Sequence, residues 1–141
     1  MMKIITPIEL INEAKRAMQG AYCPYSGYKV GAALLTEDGR IYTGCNIENA
    51  SFTPTVCAER TAFFKAISEG CYKFKAIAIV GGKNGEISGT FPPCGVCRQV
   101  MAEFCDPDEF RVYLGTQTDD YLELTLAQLL PYGFDKNNVN I

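Results

Sequence analysis

The chain reads Cys57-Ala58-Glu59-Arg60 near its middle and Pro92-Pro93-Cys94-Gly95-Val96-Cys97-Arg98-Gln99 further on, and these two stretches decide the fold. Each stands where a helix is predicted to begin. Together they provide three cysteines, with one carboxylate, Glu59, two residues after the first. Three thiolates around zinc leave the fourth tetrahedral position open, which is typical of a catalytic zinc rather than a structural one. A zinc of this kind makes a bound water acidic, and a nearby Glu can move its protons.

The same residues resemble the zinc signature of nucleobase deaminases, in which a His or Cys two residues before a Glu is followed by Pro-Cys-x-x-Cys. Here the first ligand must be Cys57, because the chain contains no histidine. On this signature the chain resembles the short cytidine deaminases of the three-cysteine type. The resemblance extends over nearly the whole chain, through the blocks Cys23–Ser26, Val30–Leu34, Gly44–Ala50, Cys57–Ala62, Pro93–Val100 and Leu129–Pro131.

The resemblance implies a zinc-dependent hydrolysis of cytidine and 2′-deoxycytidine to uridine and 2′-deoxyuridine, in the pyrimidine salvage of the cytoplasm. It implies one Zn²⁺ per chain, held by Cys57, Cys94 and Cys97. Glu59 would take a proton from the activated water and pass protons to N3 and the amino group of the base. The alternative for Glu59 is a first-turn glutamate that is favoured by the helix dipole. The family is homotetrameric with shared active sites, and we expect the same here.

Substrate contacts are also carried over from the resemblance. Asn46 and Glu48 correspond to the residues that bind the ribose hydroxyls, where an amide and a carboxylate can satisfy both donors and acceptors. Tyr28 corresponds to an aromatic residue, usually Phe, that stacks on the base, and Ala58 to a residue that contacts the substrate. The alternative for Asn46 and Glu48 is an ordinary loop, and the alternative for Tyr28 is a core aromatic. Two residues resemble those that reach a neighbouring subunit's site: Phe52 and Phe134.

Arginine is predicted to balance the charge of the metal site. Three thiolates and one Zn²⁺ sum to −1, which makes the bound water less acidic than a neutral ligand set would. A cation beside the sulfurs opposes this effect, and Arg60 or Arg98 stands close enough in the sequence to provide it. The alternative for either is a surface residue that pairs with a carboxylate.

Composition bounds the remaining possibilities. A chain of 141 residues predicts a single domain over residues 1–141. The net charge is −3 without any basic run, which argues against a polynucleotide partner. Charged residues interrupt Met1–Met18, so this stretch is neither a membrane span nor a secretion signal. Seven cysteines in such a chain indicate a reducing cytoplasm, and four are predicted to be free structural thiols: Cys23, Cys45, Cys71 and Cys105.

Hydrophobic periodicity and capping signals predict the order of helices and strands. Thr6-Pro7-Ile8-Glu9 is a capping box that opens a helix ending at Gly20. Asp38-Gly39 is typical of a hairpin turn. We expect the glycine-rich stretch 81–85 to be a flexible loop. The remaining predictions are strands at Lys29–Thr36, Ile41–Cys45, Lys75–Val80, Phe110–Leu114 and Tyr121–Leu124, and helices at Thr55–Glu69, from Pro93, and from Thr125 to Pro131.

This order predicts a three-layer α/β/α fold with a mixed, roughly five-stranded sheet. In sheets of this type ligands bind at the carboxyl ends of strands, where the following helices begin. Both cysteine stretches are predicted to lie there, one after each of two strands.

Four other functions would use parts of the same pattern. A thioredoxin-like redox protein would use Cys94 and Cys97 but leaves Cys57 and Glu59 without a role. A structural zinc module needs a fourth protein ligand, which another cysteine could supply. A deaminase of a nucleoside antibiotic would share the zinc motif, but Asn46–Asn49 favours a plain nucleoside. A polynucleotide editor is disfavoured by the acidity of the chain.

Overall fold

The order of strands in the sheet brings the two cysteine stretches to one edge. A computed structural model describes residues 4–140. One mixed sheet has the strand order β2-β1-β3-β4-β5, with the bounds β1 Tyr28–Thr36, β2 Ile41–Cys45, β3 Phe74–Lys83, β4 Arg111–Gly115 and β5 Tyr121–Thr125. Strand β1 is antiparallel to both β2 and β3, so β2 and β3 run in the same direction. Their carboxyl ends therefore lie at the same edge of the sheet.

Helices cover both faces of this sheet. Helix α1 (Pro7–Met18) lies on one face; α2 (Ala58–Ser68), α3 (Gly95–Phe104) and the short α4 (Leu126–Leu129) lie on the other. Alternate residues of β1 pack to opposite sides: Ala32 and Leu34 face α2 and α3, whereas Ala33 and Leu35 face α1. Both sets are buried. This arrangement confirms the predicted α/β/α layers and explains why β1 is apolar without alternation.

Capping boxes and a turn glycine correctly predicted where several helices and strands begin or end. Thr6 and Glu9 form the predicted capping box of α1, and Thr125 and Gln128 form that of α4. The turn between β1 and β2 contains Gly39 at φ 91°, a backbone conformation that glycine adopts without strain. A 3-10 helix at Lys136–Val139 was not predicted.

Two predicted boundaries were wrong. Helix α2 begins at Ala58 rather than Thr55, because Val56 is extended and pairs with Ile47 through backbone hydrogen bonds of 3.0 Å. Strand β3 continues through Gly81, Gly82 and Lys83, which were expected to form a loop, and pairs there with the first residues of β1. Glycine is required at position 82, because a Cβ would lie 1.8 Å from the carbonyl oxygen of Glu86.

Candidate zinc centre

Three cysteines from the two helix starts meet in space. Cys57 is the N-cap residue of α2 and Cys94 that of α3, and Cys97 lies in the first turn of α3. The Cys94 Sγ atom is 3.6 Å from Cys57 Sγ and 3.5 Å from Cys97 Sγ, and all three sulfurs lie within 4.8 Å of one another. Neither Cys57 nor Cys94 forms a side-chain capping hydrogen bond, so no backbone amide at the helix start competes with a metal for its sulfur.

This donor set fits one zinc ion. Three sulfurs at the usual zinc–sulfur distance of about 2.3 Å on a tetrahedral centre lie about 3.8 Å apart, close to the observed separations. In residues 4–140 no fourth Cys, Asp or Glu joins the cluster, and the chain has no histidine. A closed structural site therefore lacks its fourth protein ligand within these residues, and the arrangement is that of an open three-thiolate site.

The electrostatics of the cluster favour thiolate at one sulfur. A hydrogen bond with Cys97 and the nearby Arg60 guanidinium lower the pKa of Cys57 to about 5, although burial opposes the shift. The pKa of Cys97 is raised, because its thiol is the partner in that hydrogen bond and is buried. One deprotonated sulfur is thus already favoured among the three.

Arg60 is the cation beside the sulfurs. Its Nη2 donates to Cys57 Sγ at 3.4 Å, and its Nε is buried without a hydrogen-bond partner in the described part of the chain. Burial lowers the pKa of Arg60, but the hydrogen bonds and charges of Cys57 and Cys97 raise it by a larger amount. The net pKa is therefore raised, and the guanidinium stays charged. Arg98 does not share this role, since its guanidinium binds the carbonyl oxygens of Pro93 and Leu129.

Glu59 is a buried carboxylic acid next to the cluster. Only 4% of the residue is exposed, because Glu59 lies in the first turn of α2 where that helix packs on the sheet. Burial, with a smaller contribution from the charge of Cys57, raises the pKa of Glu59 to about 7. A carboxyl group with a pKa near neutrality can both accept and donate a proton at physiological pH.

Asn46 and Glu48 follow β2 at the same edge of the sheet. Asn46 is buried; its Oδ1 accepts from the Val30 amide at 2.9 Å and its Nδ2 donates to the Tyr28 carbonyl at 2.8 Å. Glu48 Oε1 accepts from the amides of Tyr25 and Ser26 at 2.9 and 3.0 Å. The Ser26 hydroxyl and these amides lower the pKa of Glu48, so this carboxylate is ionised at neutral pH.

Tyr28 contacts two residues that no sequence motif identifies, Lys83 and Phe91. It pairs with Lys83 across β1 and β3, and the Lys83 Nζ lies 5.4 Å from the centre of the Tyr28 ring. The ring of Phe91 is 6.0 Å from that of Tyr28 and packs so close to Gly81 that a Cβ there would be 2.8 Å away. With 42% of its surface exposed, Tyr28 is accessible and is not a core aromatic.

The other predicted site residues differ in exposure. Ala58 is fully buried between Cys57 and Glu59. Phe52 is 72% exposed, has φ 60° and packs edge-on against Tyr25 with ring centres 6.2 Å apart. Phe134 is 61% exposed, and its carbonyl oxygen accepts from Gln99. The four cysteines outside the cluster are free thiols, as predicted.

Comparison with known sequences identifies the family. The sequence model described as "Cytidine and deoxycytidylate deaminase zinc-binding region" matches residues 6–114, which include all three cysteines and Glu59. The chain belongs to this family. The predictions of an enzyme of the cytidine deaminase class and of zinc as its cofactor are thereby confirmed.

Individual relatives agree with this assignment. The chain is 53% identical to a cytidine deaminase of Sporosarcina psychrophila over 132 residues, which are 94% of this chain and 93% of that protein. The crystal structure of a cytidine deaminase from Burkholderia pseudomallei has a TM-score of 0.81 and 47% identity, and the match covers 89% of this chain and 96% of that one. A cytidine deaminase from Mycobacterium tuberculosis has a TM-score of 0.75 and 39% identity, covering 89% and 94%. No helix in residues 4–140 is long and apolar enough to cross a membrane.

Proposed function

We propose that the chain catalyses the hydrolytic deamination of cytidine and 2′-deoxycytidine to uridine and 2′-deoxyuridine, in pyrimidine salvage. The observation that carries this proposal is the buried carboxylic acid of Glu59 beside an open cluster of three thiols. Relatives of similar length that are named cytidine deaminases support the choice of substrate.

Glu59 is the proton-transfer residue of this proposal. When bound, zinc supplies a water acidic enough to attack the base at neutral pH. Glu59 takes up one proton of this water and delivers it to N3 of the pyrimidine, while the water oxygen adds to C4. Glu59 then moves the proton that remains on this oxygen to the C4 amino group, and the C4–N bond breaks to release ammonia and leave the C4 carbonyl. A pKa of about 7 suits both steps, because the carboxyl group gains and loses a proton in the same turnover.

Arg60 offsets the negative charge of the site. Its guanidinium lies beside Cys57 and stays ionised. A positive charge at this position stabilises each acidic group of the site in its deprotonated form. Arginine suits the role because it donates to sulfur without competing for the metal.

Asn46 and Glu48 are the proposed ribose contacts. Each oxygen of an amide or carboxylate can accept two hydrogen bonds and each amide nitrogen can donate two. The Asn46 carboxamide spends one N–H and one oxygen lone pair on hydrogen bonds to the backbone of β1. Its second N–H and second lone pair remain for the two hydroxyls of a vicinal diol. Tyr28 provides an accessible aromatic surface for the base, and Ala58 a small buried wall beside Glu59.

Domain organisation, oligomeric state and cellular location are inferred from features outside the zinc centre. We infer that residues 1–141 form a single catalytic domain, since one sheet carries both core clusters. A homotetramer with shared active sites is supported by the exposed rings of Phe52 and Phe134. Free thiols throughout and a net charge of −3 favour a cytoplasmic enzyme of small nucleosides over one that binds nucleic acid.

A single assay tests the proposal. Purified protein is incubated with cytidine, 2′-deoxycytidine and free cytosine, and its zinc content is measured alongside. We expect one zinc per chain, turnover of both nucleosides, and a far lower kcat/KM for cytosine, because polar groups built to bind hydroxyls are then left unpaired. Equal kcat/KM values for cytosine and cytidine would exclude the roles given to Asn46 and Glu48. Absence of zinc would exclude the mechanism.

A further inference from the structure

Arg98 connects the start of α3, which carries Cys94 and Cys97, to the C-terminal segment, residues 126–140. It follows Cys97 directly, yet its guanidinium binds two backbone carbonyl groups rather than the sulfurs. Its Nε donates to the carbonyl oxygen of Pro93 at 2.8 Å, and its Nη1 donates to that of Leu129 at 2.6 Å. These two carbonyls belong to segments that are far apart in the sequence.

The Pro93 carbonyl lies in the peptide plane that leads into Cys94. Pro93 is buried, whereas Cys94, Gly95 and Val96 are exposed, so little packing surrounds the helix start itself. The carbonyl of a residue before the N-cap takes no part in the hydrogen bonds of the helix. The hydrogen bond from Arg98 therefore fixes the orientation of this peptide, and with it the direction in which the Cys94 side chain leaves the backbone.

The Leu129 carbonyl lies at the end of α4. This helix has only four residues, Leu126–Leu129, and the last carbonyls of a helix lack partners within it. A cationic side chain at a helix C-terminus satisfies such a carbonyl and is favoured by the helix dipole. The planar guanidinium can donate to two acceptors at once, which a lysine ammonium does with less defined geometry.

We propose that Arg98 is a positioning residue of the zinc centre, which holds Cys94 in ligand geometry by clamping the Pro93 peptide to the end of α4. The inference rests on the zinc site proposed above. The C-terminal segment then contributes to metal retention, although none of its described residues joins the cluster of sulfurs. Outer groups that orient metal ligands typically contribute about 10–100-fold to metal affinity or activity, and we expect Arg98 to act within this range.

The neighbouring Gln99 provides a matched control. Its Nε2 donates to the Phe134 carbonyl oxygen at 2.7 Å, so it also connects α3 to the C-terminal segment. Within residues 4–140, the Gln99 side chain forms no hydrogen bond with Pro93. Gln99→Ala therefore removes a connection to the C-terminal segment but leaves the peptide before Cys94 in place.

The experiment compares zinc affinity, by competition with a chromophoric chelator, in wild type, Arg98→Gln, Arg98→Lys and Gln99→Ala. We expect about 10–100-fold weaker binding in Arg98→Gln, a partial recovery in Arg98→Lys, and wild-type affinity in Gln99→Ala. The absorption spectrum of the Co²⁺-substituted protein, which reports thiolate geometry, should change in Arg98→Gln but not in Gln99→Ala.

The outcomes separate this inference from the proposed function. A wild-type protein that binds no zinc would overturn both. Unchanged affinity and an unchanged Co²⁺ spectrum in Arg98→Gln would overturn the role of Arg98 alone, and so would an equal loss in Gln99→Ala, because C-terminal docking would then be the cause. If Arg98→Gln does not fold, the Arg98→Lys variant provides the test. Wild-type zinc affinity and a wild-type Co²⁺ spectrum in Arg98→Lys would then contradict the proposed role of Arg98.

Discussion

The two halves of the zinc centre differ in how closely the fold surrounds them. At the start of α2, Ala58 and Glu59 are buried, and a Cβ added at Gly44 would lie 2.4 Å from the Ala58 carbonyl oxygen. At the start of α3, Cys94 is exposed, and a Cβ added at Gly95 would meet no atom within 4 Å. One half is packed against the sheet and the other lies open.

This difference matches the chemistry assigned to each half. The packed half carries Glu59 and Arg60, the two residues to which proton transfer and charge balance are assigned, and burial is what moves the pKa of Glu59 towards neutrality. The open half carries two of the three thiols and no carboxylate. A buried group with an altered pKa needs a rigid, water-poor environment, whereas a metal centre that admits substrate needs an accessible side.

Removing a ligand from either half should have the largest effect. Cys57→Ala and Cys94→Ala are each expected to reduce zinc from one per chain to a small fraction and to abolish activity, because two thiolates hold zinc poorly. Metal analysis of dialysed protein and a cytidine assay provide the measurement. Cys71→Ala, which alters a buried thiol outside the cluster, is the control and should retain zinc. Full zinc occupancy in the double variant Cys94→Ala, Cys97→Ala would contradict the assignment.

Glu59→Gln should show the next largest effect, because it keeps the size of the side chain but cannot transfer protons. We expect kcat to fall by about 10²–10⁴-fold, the usual contribution of general acid–base catalysis, with zinc retained. Glu103→Gln, an exposed position on α3, is the matched control. Near-normal turnover of the Glu59 variant would mean that this carboxylate only stabilises the start of α2.

Arg60→Gln should have a smaller effect than Glu59→Gln, since the metal ligands and the base remain. Loss of the positive charge raises the pKa of the acidic groups around it, so the acid limb of kcat/KM should move to higher pH, with zinc still bound. The measurement is the pH profile of both proteins, with zinc verified in each. An unchanged acid limb would show that Arg60 serves packing rather than charge balance.

Two glycine substitutions should show the smallest effects and test the packing difference directly. Gly44→Ala places its Cβ 2.4 Å from the Ala58 oxygen, so α2 must shift; we expect a loss of about 1–3 kcal/mol in the free energy of unfolding, as for other overpacked sites. Gly95→Ala fills open space in a helix and should leave stability unchanged or raise it by less than about 1 kcal/mol. Denaturant titrations measure both. Equal losses in the two variants would remove the distinction between the halves.

Much of this fold could be predicted from local signals. The capping boxes at Thr6 and Thr125, and Gly39 in the hairpin turn, specify element ends through contacts within a few residues. The three cysteines and Glu59 could be assigned because metal-ligand spacing at helix starts restricts the geometry strongly. The zinc-centre predictions therefore depended little on long-range packing.

The predictions that failed depend on contacts between distant residues. The extension of β3 through Gly82 is fixed by pairing with β1 and by the close approach of Glu86, neither of which leaves a local pattern. The late start of α2 follows from the pairing of Val56 with Ile47. The hydrogen bond from Arg98 to Leu129 joins residues 31 positions apart, whereas the sequence predicted for Arg98 only a general role as a cation near the sulfurs.

The hydrogen bonds of Asn46 have a consequence apart from its proposed contact with ribose. Strand β2 ends its pairing with β1 at Cys45 and Gly31, so the first residues of β1 would present an unpaired edge. The Asn46 side chain supplies one acceptor to the Val30 amide and one donor to the Tyr28 carbonyl, as a peptide group of a longer strand would. Unpaired strand edges are where other chains add and aggregation begins. The carboxamide of Asn46 therefore pairs two backbone groups at this end of β1 that would otherwise be open to strand addition.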